Sequence, residues 1–173
     1  MKLDQWLRFT WELATFPTEM PPLPEHYEIN RAEPDVEKHV RSAISTAFTL
    51  DPAWNGAAHN IEQTVDMWLD RAFAEQNTAL LVLRHGSRII GASVVSLAED
   101  SDFRLAPGPC ILVEYRNRGF GTHLLAHSLG TLRDAGIRHG TAITKEGSPA
   151  AKFLYPKFNG LAAPCDFQPL AAV

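Results

Sequence analysis

Seven consecutive residues, Arg116-Asn117-Arg118-Gly119-Phe120-Gly121-Thr122, combine two ingredients of an anion site, arginines and a closely spaced glycine pair. They follow an apolar stretch at 110–113 and precede Leu125, Leu129 and Leu132, whose spacing predicts a helix. Where a strand turns into a helix, the first helical N–H groups lack intrahelical acceptors, and phosphate is their natural occupant. Glycines at 119 and 121 permit a tight turn and remove side chains that would hold a diphosphate away from those donors. The helix dipole adds roughly 0.3–1 kcal/mol per well-placed charge, and Arg116 or Arg118 can add more. A glycine pair alone is more often a simple turn. A dinucleotide fingerprint would need a third Gly or Ala where Leu124 stands, and a P-loop would need Gly-Lys-Ser/Thr, which the chain lacks.

Other polar side chains are less specific. Glu99, Asp100 and Glu114, near strand ends, are candidate general bases, although solvated loop carboxylates are commoner. Glu62, Asp66 and Asp70 form an acidic stripe that could attract a cation or simply face water. His123 and His127 lie one turn apart, but no third ligand has recognisable spacing, so no metal site is assigned. Cys110 and Cys165 are the only cysteines, which implies neither a disulfide framework nor a metal knuckle and fits a reducing, cytoplasmic setting.

The positioning elements follow from periodicity. Leu3, Trp6, Leu7 and Trp11 predict a short helix, ended by Pro17 and the cluster Pro21, Pro22 and Pro24, so that residues 1–25 read as a helical arm preceding one domain at 26–173. Tyr27–Arg31 reads as a strand. Val36, Val40, Ile44 and Phe48 recur every four residues in a helix that should stop before Asp51-Pro52. Ile61, Val65, Trp68 and Ala72 mark a second helix. Apolar runs at 79–83 and 89–97, separated by His85-Gly86-Ser87, read as a hairpin. A strand at 110–113 enters the glycine turn, and the helix after it closes at Gly136. A further strand covers 137–144, Ser148-Pro149 starts another helix, and the tail beyond Gly160 adds further strands.

A net charge of −4 argues against a general nucleic-acid binder, yet Arg116, Arg118, Arg133, Arg138, Lys145, Lys152 and Lys157 concentrate positive charge in the later half of the chain. That concentration suits an anionic ligand or a solvated basic face. The 173 residues suffice for one well-packed domain. No apolar run approaches the roughly 20 residues of a membrane span. The first 16 residues are interrupted by charges and lack the uninterrupted apolar core expected of a signal peptide.

Arg116, Gly119 and Gly121 match Gln/Arg-x-x-Gly-x-Gly/Ala, and at these residues the chain resembles the GNAT superfamily of N-acetyltransferases. The resemblance is strongest over 111–160 and excludes the arm. It implies an α/β (α+β) fold with a mixed, mostly antiparallel sheet, helices on both faces, and a splay between the family's strands 4 and 5. It also implies acetyl-CoA as co-substrate, without a metal, with its pantetheine arm along Ile111, Leu112 and Val113 and its diphosphate on 116–122. A strand N–H there would stabilise the thioester oxygen as it becomes an oxyanion. The family's later pattern, Asn-x-x-Ala-x-x-Leu/Phe-Tyr, aligns with Ser148, Ala151, Leu154 and Tyr155. Tyr155 is thereby the expected catalytic acid for the departing thiolate, and Ser148 a cofactor contact with a shorter reach than Asn. Pro156 should bias Tyr155 away from helical geometry. The implied reaction is direct acetyl transfer to a primary amine of a small molecule or peptide, with no nucleic-acid or membrane partner. The alternative is a non-catalytic acyl-CoA binding or sensing module. The acceptor segments, at 50–60 and after Gly160, carry no diagnostic motif, and the Trp6 and Trp11 arm is left either to cover the core or to join a homodimer.

Overall fold

The computed structural model describes residues 5–17, 19–50 and 58–167. Leu3, the Asp51-Pro52 helix stop, the Ile61 side chain, most of the 50–60 segment and the tail after 167 lie outside the described residues.

Residues Trp6–Glu12 are a strand, β1, and this overturns the predicted N-terminal helix. Leu3, Trp6, Leu7 and Trp11 fit a helical stripe, but Phe9 does not. Aromatic and β-branched residues fill the segment, and such side chains favour a pleated, half-buried surface. The deciding force is tertiary. β1 hydrogen-bonds antiparallel to β6 (His139–Lys145) along one edge and to β7 (Leu161–Cys165) along the other, so it is the middle strand of a three-stranded sheet. Phe9 and Trp11 point to one face and Trp6 and Arg8 to the other.

The second sheet runs β2 (Tyr27–Arg31), β3 (Thr78–His85), β4 (Arg88–Ser96) and β5 (Cys110–Ile111), all antiparallel. β4 is buried without interruption from Ile89 to Val95, as expected of a strand covered on both faces. Two helices pack on it. α1 (Glu37–Thr49) presents Val40, Ala43, Ile44 and Ala47 at the i, i+3, i+4, i+7 spacing. α3 (Phe120–Asp134) buries Leu124, Leu125, Leu129 and Leu132 and ends against Gly136 in the left-handed conformation. α2 (Ala58–Ala74) lies against α1.

The two sheets do not pair strand to strand. Leu105 bridges them, antiparallel to Val95 of β4 and parallel to Ala142 of β6, and beyond this bridge β5 and β6 diverge. The expected splay is therefore present, hinged on Leu105. Three elements differ in detail from the sequence reading. The strand expected at 110–113 is shorter, Cys110–Ile111, because residues Val113–Tyr115 close into a 3-10 turn. The helix expected after Ser148-Pro149 is a single π-helical segment, Ala150–Leu154. The expected tail strands are β7, whose residues are largely exposed. No described helix is long and apolar enough to cross a membrane.

Candidate functional site

Gly119 occupies the left-handed region, with φ of 83°, as the N-cap of α3, and it supplies no capping side chain. Asn117, two residues earlier, is also left-handed, with φ of 63°. Any other side chain at 119 would strain this turn. His123 N–H donates to the Gly119 carbonyl at 3.2 Å, so the N–H groups of Phe120, Gly121 and Thr122 precede the first intrahelical bond and point out of the helix start. Lys157 adds a cation there by donating from Nζ to Thr122 Oγ1 at 2.7 Å.

This turn forms one end of a cleft of about 280 Å³ between the diverging sheets. Ile111 lies beside it. Leu112 N–H donates across β4 to the Ile90 carbonyl at 2.9 Å, and because successive residues of a strand alternate, Ile111 turns its N–H and C=O away from β4 toward the cleft. Its carbonyl accepts from Arg116 Nε at 2.9 Å, while Arg116 Nη2 donates to the Ala47 carbonyl at the end of α1, also at 2.9 Å. The guanidinium thus ties β5 to α1 through two carbonyls.

Tyr155 stands at the other wall. Its N–H donates to the Ala150 carbonyl at 2.8 Å, an i to i+5 bond that sets the π-helical segment. Despite Pro156, it keeps right-handed helical angles of φ −68° and ψ −24°, which corrects the expected distortion. The wider turn accommodates the proline. Its ring is held edge-on by Phe9 and Trp11, both with centroids at 5.4 Å, so the strand missed in the sequence is what orients it. The hydroxyl lies against Gly108, where a β-carbon would overlap it. Burial, and secondarily the neighbouring Cys110, push the phenol's pKa up, so Tyr155 stays neutral. Ser148 is buried. Its Oγ meets Thr144 Oγ1 at 2.7 Å and accepts from Ala151 N–H at 3.1 Å, so the hydroxyl caps the π-helical segment as its sequence predicted.

Of the sequence-predicted residues, Ile111, Arg116, Asn117, Gly119, Phe120 and Gly121 line this cleft together with Thr122, Ser148 and Tyr155. Leu112, Val113 and Arg118 are not among its lining residues. Leu112 N–H is spent on β4, Val113 lies in the 3-10 turn, and the Arg118 guanidinium sits 5.4 Å above the Tyr115 ring. None of the three candidate bases lines it. Glu114 pairs with Arg88 at 2.9 Å, and its own backbone N–H, then Arg88, hold its carboxyl below the usual range, which suits an ion pair better than a base. Asp100 borders a separate hollow beside β4, and the Glu99 carbonyl accepts from Arg104. Glu62, Asp66 and Asp70 are exposed, whereas α2 turns Thr64, Val65 and Trp68 to the cleft, about half a turn of the helix away. Asp70 is paired with Arg41 at 2.7 Å. Burial lowers the pKa of both His123 and His127. Among the described residues, no three His, Cys, Asp or Glu side chains are grouped to hold a metal.

Gly108, Lys157, Trp6 and Trp68 were missed as site residues. Two of them carried a signal: Lys157 through the basic stretch that suits an anionic ligand, and Trp6 through the aromatic composition of its segment.

A sheet hinged open at Leu105, with a bare helix start at one lip and a buried phenol at the other, agrees with a family match. Residues 45–161 match the model of the acetyltransferase (GNAT) family, and the chain belongs to that family. No curated protein matches it. Among solved structures it is similar to a GCN5-related N-acetyltransferase from Sphaerobacter thermophilus, with TM-score 0.66, 16% identity, and coverage of 94% of this chain and 50% of that one. It is similar to a Drosophila protein, with TM-score 0.63, 14% identity, and coverage of 93% and 48%. A GNAT-family protein from Novosphingobium aromaticivorans gives 0.59, 15%, and 94% and 61%. These likenesses concern the fold, and the chain spans about half to three fifths of their lengths.

Proposed function

We propose that the protein transfers an acetyl group from acetyl-CoA directly to an amine. The observation that carries this reading is that one cleft joins the open start of α3, the cleft-facing backbone of Ile111 and the buried phenol of Tyr155. The N–H groups of Phe120, Gly121 and Thr122, with Lys157 beside them, suit a diphosphate. The Ile111 N–H suits the thioester oxygen, and a donor of this kind stabilises a developing oxyanion by roughly 3–4 kcal/mol.

In the reaction so read, the amine nitrogen attacks the thioester carbonyl carbon. The C–N bond forms as the C–S bond breaks, the departing sulfur takes the proton of Tyr155, and the nitrogen's extra proton passes to water. Tyr155 then recovers a proton from solvent. Its burial keeps the acid uncharged, and its three aromatic and glycine contacts fix where the O–H points. Within this reading Ser148 supports the segment that carries Tyr155, and Arg116 positions Ile111 by its side chain while its backbone belongs to the turn.

Tyr155→Phe keeps the ring packing and removes only the hydroxyl. The expected result is a fall in turnover of about 10²-fold or more with acetyl-CoA affinity retained, measured by thiol release and calorimetry. A second reading, a non-catalytic acyl-CoA binding module, is favoured by the inward turn of the Ser148 hydroxyl. It predicts that Tyr155→Phe changes no measurable property. A protein that acetyl-CoA does not stabilise at all against heat would contradict both readings.

A further inference from the structure

Beyond the Ile111 backbone, the cleft is walled by Trp6 of β1, Phe48 of α1, Val65 and Trp68 of α2, Leu105 and Ile143. The two indoles share a neighbour in Phe167. Phe167 packs edge-on against Trp6 at 4.9 Å between centroids and lies 6.2 Å from Trp68. Among the described lining residues the charged side chains are Arg116, whose guanidinium donates to the Ile111 and Ala47 carbonyls, and Lys157 at the start of α3, and none is a carboxylate. The acidic stripe of α2 faces the other way.

We propose that the acceptor is a weakly basic amine, neutral near pH 7, carried on an aromatic body. The inference rests on the acetyl-transfer reading above and adds the substrate class. A cationic amine entering this end would surrender hydration with no described carboxylate to replace it, whereas a flat neutral ring exchanges water for the indole and phenyl faces. Chemistry points the same way. The neutral nitrogen already holds the lone pair that attacks the thioester carbon, so no side-chain base is required first. The proton it sheds after the C–N bond forms goes to water, while sulfur takes the Tyr155 proton.

The test uses the full chain with acetyl-CoA and four acceptors: a ring-substituted aniline, benzylamine, spermidine and a lysine peptide. Thiol release should be fastest with the aniline. For benzylamine, kcat/KM should rise about tenfold per pH unit between about pH 6 and 8, tracking the neutral amine, while the aniline profile stays flat. Trp68→Ala should raise KM for the aniline about tenfold without changing acetyl-CoA affinity, and Trp68→Phe should restore it. If acetyl-CoA binds but spermidine or the peptide reacts faster, or no amine reacts, the acceptor class is wrong and the cofactor reading stands. Equal loss of acetyl-CoA affinity in Trp68→Ala would also overturn it, since Trp68 would then only shape the fold. Failure of acetyl-CoA to raise the melting temperature removes both readings together.

Discussion

At the scale of single residues, Tyr155 and Gly108 are one unit. A methyl group at 108 would occupy the place of the phenol hydroxyl, so Gly108→Ala must push the ring back into Phe9 and Trp11. The expected cost is about 1–3 kcal/mol of stability, measured by urea unfolding, with turnover lost as fully as in Tyr155→Phe. Burial of the phenol also gives a pH signature. The folded chain holds that proton more tightly than an unfolded chain, whose tyrosines titrate near about 10. The stability due to the neutral phenol is therefore complete below about pH 10 and is lost as pH rises beyond it. Melting temperatures from neutral to alkaline pH should fall less steeply in Tyr155→Phe. Residue types made the glycine turn legible in advance, because positive φ at 119 is a property of the chain itself. Gly108 was not legible, since its constraint comes from a side chain 47 positions further on.

At the scale of elements, Arg116 carries more structure than its place in an anion motif suggests. Its guanidinium joins the Ile111 and Ala47 carbonyls, so β5 and the end of α1 move as one. Arg116→Ala should cost about 1–3 kcal/mol by denaturant unfolding, and Arg116→Lys should restore little, because a single ammonium cannot reproduce the planar fork. β1 makes a stronger demand. Trp11 is fully buried and donates from Nε1 to the Lys157 carbonyl at 2.9 Å. Trp11→Ala should destabilise by about 3–5 kcal/mol in the same assay and release Tyr155 from one of its supports. The helices and the hairpin were readable because their periodicity is local. β1 was not, because Trp6, Leu7 and Trp11 also suit a helical stripe, and the choice is made by hydrogen bonds to β6 and β7.

At the scale of the whole molecule, the cleft exists because two sheets meet at one residue, Leu105, and separate beyond it. The hairpin, the glycine turn and the following helix were evident in the sequence. The walls of the far end were not, since Trp6, Phe48 and Trp68 come from three elements that only the folded topology brings together. The same distance in sequence bears on how the chain reaches its final form. β1 leaves the ribosome before the strands that flank it, which begin only at His139 and Leu161. Trp6, Phe9 and Trp11 thus stay uncovered until those strands have been made, a sticky segment awaiting its neighbours. Nascent chains arrested before β6 should be the species that chaperones hold and that aggregate when chaperones are scarce.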